Sequence, residues 1–378
     1  MFNKAGEYEL NVEEANNKFE YYTFLPKLLC DGLDITMDQE LCGLLANAHR
    51  LLGMLEGIAL YVQNIEYLET MYIKKESYIS CRIDGSRISF EKIFGQSKKR
   101  SNDLEKIYNC TNAIELGKKT VSDNKMSNTL LCEMHSTLTT GKDCEKSGAF
   151  RTEQLFELPK IYTPGFPTYN PPTPKYVEIA MGDLEKFISK NDKIDVLIKV
   201  SLIYYQLQTI SPFENENGKI GRMLINLFLQ DKKILTKQLL CYSNYILQNK
   251  SEYKEILSNV RVAGNYTQWI KFFIKGIIVE SNRSINIINE LVGLNVKNRE
   301  KVAVLSKSKK SVIMLLDYLE RNPVITIKNA AKELEISFNT ALNAIEILQE
   351  MKILTVGNDL MRNRSYEYRE YLEILEGK

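Results

Sequence analysis

Apolar positions recur at helical spacing through most of the chain. They predict two helices over residues 38–75, in "LCGLLANAHRLLGMLEGIALYV" and "YLETMYIKKESYI", and further helices near 102–121, 126–139, 177–190 and 192–209. The segment "DKIDVLIKVSLIYYQLQT" (192–209) is apolar on most sides, and so is "GRMLINLFLQD" (221–231). Helices of that kind belong in the centre of a core, so the polar loop between them, Ser211–Gly218, is expected to be rigidly held. The helical pattern runs on through about 295, in "EYKEILSNVRV" and "YTQWIKFFIKGIIVESNRSINII".

One stretch interrupts it. "FRTEQLFELPKIYTPGFPTYNPPTP" carries six of the nine prolines and cannot be helical; within it, "EQLFELPKIYT" fits a short hairpin. After the polar, Lys/Ser-rich "NVKNREKVAVLSKSKKS" the pattern changes. A helix near 309–321 is followed by a helix "IKNAAKELE", a turn at Ile336–Ser337, a helix "FNTALNAIEILQEM", and two strands in "KILTVGND" and "RSYEYRE". Helix, helix-turn-helix and hairpin in that order is the winged-helix pattern. The expectation is an all-α chain in three parts: an N-terminal helical region (1–120), a helical core domain with a hairpin (121–300), and a winged helix-turn-helix domain (301–378).

Composition narrows the function classes. Net charge is +2 and pI about 8.0, so no global field argues for nucleic acid or membrane. The seven cysteines are odd in number and form no CxxC pair, which suits reduced thiols in a cytoplasmic protein. The start of the sequence lacks the apolar core of a signal peptide, and no window reaches the ~18 uncharged apolar residues of a membrane span. Only two histidines exist, His49 and His135, which removes most histidine metal sites and Ser-His-Asp machinery. His135 lies on a predicted helix among apolar neighbours and is expected to be packed or capping.

The loop "SPFENENGKIGR" (211–222) carries the candidate chemistry. Asn217, Gly218 and Gly221 at a helix start offer backbone N–H groups and close approach, and the helix dipole adds positive potential. Lys219 and Arg222 lie one turn apart, an arrangement that suits a polyphosphate. A capped core helix with two solvated cations reads equally well from these residues alone.

The same residues resemble the motif of the Fic family, His-Pro-Phe-x-Asp/Glu-Gly-Asn-Gly-Arg/Lys-x-x-Arg. Pro212, Phe213, Asn217, Gly218, Lys219 and Arg222 match it as they stand. Upstream, "SYISCRIDGSRIS" is similar to the family's inhibitory helix motif, with Ser80, Asp84 and Gly85 at its places. "GAFR" (148–151) resembles the lead into the family's target-docking flap, which puts Arg151, Leu155 and Phe156 at the flap. Gln206, Tyr245 and Asn249 fall where relatives have similar residues. The resemblance implies a helical Fic fold with a short β-hairpin flap, and AMP transfer from ATP, with Mg²⁺, to a Ser, Thr or Tyr hydroxyl of a protein target or of the chain itself. It also implies phosphate grip by Lys219 and Arg222, and inhibition by a glutamate that pairs with Arg222; Asp84, at that glutamate's place, is one methylene shorter and is expected to reach the arginine poorly.

Three departures matter. The motif histidine is Ser211, whose hydroxyl is no base near neutral pH; general-base catalysis is typically worth ~10²–10⁴ in rate. The first motif glycine is Glu216, a carboxylate beside an anion site. It weakens phosphate binding or recruits metal if it points inward, and is a solvated charge if it points outward. Asn215, at the Mg²⁺ position, is a weaker hard-cation ligand than a carboxylate. The expectation is a nucleotide-binding Fic protein with weak or absent AMP transfer. Two alternatives stand beside it: an active enzyme with a substitute base, and a transcription regulator whose Fic core senses a nucleotide or partner. For DNA, the second helix of the C-terminal pair offers Asn339, Thr340 and Asn343, and the wing Arg362 and Arg364. Residues 301–378 hold 12 Lys/Arg against 11 Asp/Glu, a thin charge for phosphate binding that a homodimer would double.

Overall fold

The computed structural model describes residues 2–13, 19–95, 101–123, 126–141, 146–156, 169–305, 309–357 and 364–378. The chain opens on three strands, β1 (Phe2–Asn3), β2 (Gly6–Glu13) and β3 (Phe19–Pro26). Helices α1 (Gln39–Tyr61), α2 (Ile65–Ile83), α3 (Asn102–Asp123), α4 (Asn128–Leu138) and α5 (Pro174–Ser189) follow. Next come α6 (Val196–Ile210), α7 (Asn217–Asp231), α8 (Tyr242–Gln248), α9 (Lys250–Ala263) and α10 (Tyr266–Ala303). The remainder is α11 (Lys309–Leu319), β4 (Val324–Thr326), α12 (Ile327–Glu333), α13 (Phe338–Glu350), β5 (Thr355–Val356), β6 (Ser365–Glu367) and α14 (Arg369–Glu376). These elements form two compact units, Met1–Glu56 with Asn109–Ser281, and Gly57–Tyr108 with Asn282–Lys378.

In the first unit the apolar segments read as central are central. Leu197, Val200, Ile203 and Leu207 of α6, and Ile220, Leu224, Leu227 and Phe228 of α7, are fully buried. Asp195 starts α6 by accepting from the Leu197 N–H at 2.9 Å, the capping role short acidic side chains favour. The single tryptophan, Trp269, donates its indole N–H to Ser201 O at 2.9 Å and stacks on Tyr204. The two central helices approach at Gly221, where a Cβ would sit 2.1 Å from Gln208 Nε2 and 3.0 Å from the Tyr204 ring. Gly221→Ala is therefore expected to destabilise the protein by about 1–3 kcal/mol through overpacking, measured as a lower urea midpoint with unchanged slope.

The N-terminal region is not wholly helical. Residues up to Pro26 form an antiparallel sheet of order β1-β2-β3, in register with Glu7 opposite Leu25 and Leu10 opposite Tyr22. Strict alternation in "EYELNVE" explains it: Tyr8, Leu10 and Val12 share one face and the glutamates take the other. Asn170 ties this sheet to the segment leading into α5, accepting from the Phe24 N–H and donating to Tyr22 O, both at 2.9 Å.

The second unit contains α2 and the C-terminal elements. Its sheet has the order β4-β6-β5, all antiparallel, with Ile325 opposite Tyr366 and Val356 opposite Tyr366 on the other edge. Thr326 caps α12 and Ser337 caps α13, each side chain accepting a first-turn N–H. Leu315, Leu319, Ala341, Ala344, Ile345 and Leu348 fill the space between α11, α12 and α13. Two sequence readings are corrected here. The polar stretch beginning at 295 continues α10 as far as Ala303, and "RSYEYRE" is a three-residue strand running into α14 rather than a strand throughout.

Candidate functional site

The loop between α6 and α7 is a compact turn built on two left-handed residues. Ser211 ends α6 with φ 47° and ψ 65°, and Glu216 precedes α7 with φ 61° and ψ 7°. A non-glycine residue there costs of order 1–3 kcal/mol unless its surroundings hold it. They do. Asn217 closes the turn, its Oδ1 accepting from the Phe213 N–H at 2.9 Å and its Nδ2 donating to Phe213 O at 2.8 Å. Phe213 is fully buried and stacks on His135 at 4.1 Å, while His135 Nδ1 accepts from the Gly148 N–H at 3.1 Å. His135 is thus packed, as its apolar neighbours predicted.

Arg151 holds the loop from outside. Its side chain is buried and donates to four carbonyls: Ser211 O at 2.8 Å, Pro172 O at 2.6 Å, Glu153 O at 3.0 Å and Ile210 O at 3.3 Å. Its own N–H donates to Pro212 O at 2.8 Å. Burial pulls the Arg151 pKa down to about 10, so the guanidinium stays charged at neutral pH. Sequence reading placed this arginine at the entrance to the flap and missed that it clamps the chain on both sides of Ser211. The flap hairpin itself (154–162) lies mostly outside the described residues; of its residues, Leu155 is half-buried, and Phe156 is exposed with its ring 5.0 Å from Tyr21 of β3.

The charges in the loop are already engaged with each other. Glu216 points inward: its carboxylate meets Lys219 Nζ at 2.5 Å, and both side chains are largely buried. The second acid, Glu214, lies 3.8 Å from Lys146 Nζ. Arg222 is buried and its guanidinium packs over Gly218, where a Cβ would stand 3.0 Å from Nη1. Burial holds the Tyr204 hydroxyl well above its ordinary pKa; it shares a 2.9 Å hydrogen bond with Tyr253, and Arg222 partly offsets the shift. Ser211 Oγ donates back to Gln208 O at 3.0 Å, which turns the hydroxyl toward its own helix. Asn215 is exposed. No cluster of three metal-ligating side chains occurs among the described residues.

Residues 125–229 match the model of the Fic/DOC family, and residues 42–119 match that of the Fic/DOC family N-terminal region. The chain carries a Fic/DOC domain. Among solved structures, a Fic family protein from Desulfovibrio desulfuricans G20 aligns with TM-score 0.56 at 14% identity, covering 88% of this chain and 96% of that one. A Fic domain containing signaling protein from Bacteroides thetaiotaomicron aligns with TM-score 0.49 at 17% identity, covering 66% of this chain and 95% of that one. The first of these shows that the fold is the Fic fold, with the helical core described above.

Several of the expected site residues contact neighbouring elements. Gln206 is fully buried and donates to Lys27 O at 3.0 Å, tying α6 to the end of β3. Tyr245 packs in an aromatic cluster 5.1 Å from Phe272, and Asn249 bonds to Tyr245 O at the junction of α8 and α9. Gly221 faces α6, as noted above. Ser80, Asp84 and Gly85 belong to the other unit: Ser80 is buried on α2, Asp84 is the exposed residue that ends that helix, and Gly85 follows with φ 99°.

The C-terminal candidates are equally specific in placement. Thr340 hydrogen-bonds to the capping Ser337, at 2.8 Å between hydroxyls and 3.1 Å from the backbone N–H. Asn339 and Asn343 are exposed on α13 beside Phe338, Glu346 and Glu350. Arg364 is exposed ahead of β6, and Arg362 lies outside the described residues.

Proposed function

We propose that the protein is a Fic-type nucleotide-binding protein in which AMP transfer to a protein hydroxyl is weak or absent. The observation that carries this reading is the Glu216–Lys219 ion pair at the start of α7. An acid at the first motif glycine neutralises the lysine that a nucleotide phosphate needs. Asn217, Gly218 and Arg222 still support an anion at this helix start, because the Asn217 and Gly218 N–H groups at the head of α7 have no intrahelical acceptor. ATP thus fits once Glu216 is displaced from Lys219. Mg²⁺ fits less well: Asn215 is a single neutral donor, and the neighbouring acids Glu214 and Glu216 face lysines.

An active enzyme with a substitute base finds less support. Both nearby carboxylates are paired, and the Ser211 hydroxyl is turned to Gln208 O. The C-terminal region reads as a winged helix, but DNA is a poor match for α13, since Glu346 and Glu350 on its exposed side would repel phosphates. Protein contact through Phe338, 54% exposed at the head of α13, is the better reading for that surface. The compartment consistent with reduced cysteines is the cytoplasm; no described helix is long and apolar enough to cross a membrane.

Calorimetric titration of ATP with Mg²⁺ tests the nucleotide reading. A weak but measurable heat is expected, shrinking at least about tenfold in apparent affinity in Arg222→Ala, since a charged donor to phosphate contributes ~1.5–3 kcal/mol. No heat at millimolar ATP would reduce the loop to a structural relic.

A further inference from the structure

Among the described residues, β3 pairs with another strand along one edge only. Along its inner edge it pairs with β2 over its whole length, Phe24 opposite Tyr8, Tyr22 opposite Leu10 and Glu20 opposite Val12. Phe24 N–H and Tyr22 O nevertheless bond outward, to Asn170 O and Asn170 Nδ2. In an antiparallel pair, residues whose backbone groups face the partner alternate with residues whose groups face away. Glu20, Tyr22 and Phe24 therefore make up the outward set. Asn170 fills only the Phe24 end. Among the described residues, no hydrogen bond engages the N–H of Tyr22 or of Glu20.

The charged side chains of β2 and β3 are all acidic. β2 and β3 carry Glu7, Glu9, Glu13 and Glu20 and no Lys or Arg. Glu7, Glu9 and Glu20 are exposed. Leu10 and Tyr22, directly opposite each other, and Val12 on the same face are 49%, 42% and 45% exposed. Edge strands normally carry lysine, proline or a bulge that blocks strand addition; none stands at Glu20–Tyr22. An acidic, apolar-faced open edge complements a basic strand.

We propose that the outer edge of β3 docks an extended basic segment of a partner protein by strand addition. The incoming strand bonds to the N–H groups of Tyr22 and Glu20, places apolar side chains on the Leu10–Val12–Tyr22 face, and sets Lys or Arg against the glutamates. The edge belongs to the unit that holds the Ser211 loop. Asn170, at its end, lies two residues before Pro172, whose carbonyl Arg151 grips, and Tyr21 on the opposite face packs against Phe156. A docked strand thus continues a surface already fixed to both flanks of the flap. The proposal does not use the nucleotide loop, so it stands or falls apart from the reading above.

The test is fluorescence anisotropy with the full chain and a labelled short peptide alternating lysine and valine. Tyr22→Pro deletes the outward N–H while leaving the β2 ladder intact, a substitution edge strands tolerate. Tyr22→Val keeps both the N–H and the strand preference. Binding is expected to be about tenfold weaker in Tyr22→Pro than in Tyr22→Val, and a glutamate–valine peptide is expected not to bind. The same lysine–valine peptide, N-methylated at alternate residues, should bind wild type about tenfold more weakly, which keeps the test decisive if Tyr22→Pro misfolds. Equal binding of the methylated and unmethylated peptides, equal binding by the two variants, or equal binding of the basic and acidic peptides would overturn the proposal.

Discussion

Replacing Ser211 by His and Glu216 by Gly together is expected to raise AMP transfer from ATP by ~10²–10⁴ over wild type, the usual worth of a positioned general base. Position 211 suits the change, since histidine is among the residues that tolerate its left-handed φ of 47°. At position 216 the φ of 61° favours glycine, so strain of order 1 kcal/mol is relieved as the carboxylate leaves Lys219. Either change alone is expected to do much less. The base and the phosphate grip act on one transition state, and groups that act as a unit are not additive. Incubation with labelled ATP and lysate, followed by mass spectrometry of the modified proteins, checks the expectation. Wild-type transfer as fast as that of the double variant would refute the reading of Ser211 as a lost base.

Arg151→Ala is expected to lower stability by about 3–5 kcal/mol, because four carbonyls, two buried and two part-buried, lose a charged donor at once. Ser211 O, Pro172 O and Glu153 O have that guanidinium as their partner, at 2.6–3.0 Å. For a chain of this size the loss corresponds to a fall in Tm of about 4–6 °C. Arg151→Lys is expected to recover little of it, since an ammonium cannot reproduce the planar fork that reaches separate acceptors. Thermal unfolding followed by circular dichroism measures both. A fall of only 1–2 °C in Arg151→Ala would show that the loop's geometry is set by Asn217 and the Phe213–His135 stack instead.

The helical core was legible because its signal is strong. The segments 192–209 and 221–231 are apolar on most sides, and such helices have few places to go but the centre of a domain. The N-terminal sheet was missed: the alternation of "EYELNVE" carries its signal, but a short run of period two counts for less than a long helical one. The site divided differently. The glycines, Asn217, Lys219 and Arg222 were picked out as candidates by their order in the loop, and the outcome at Glu216 was left open between inward and outward. Only the three-dimensional structure decides that, since Lys219 three residues on is in reach in either case. What sequence could not reveal was where buried side chains spend their hydrogen bonds: Gln206 on Lys27 O, Arg151 on the carbonyls around Ser211. Both partners are distant in the chain, and no local spacing encodes them.

The most direct test of the central claim, that Glu216 occupies the place of a nucleotide phosphate on Lys219, is a calorimetric titration of ATP with Mg²⁺ into wild type and Glu216→Gly side by side. The account predicts that the glycine variant binds at least about tenfold more tightly, as a carboxylate is removed and a buried lysine becomes available to phosphate. Equal affinity in the two proteins, or weaker binding in Glu216→Gly, would contradict it.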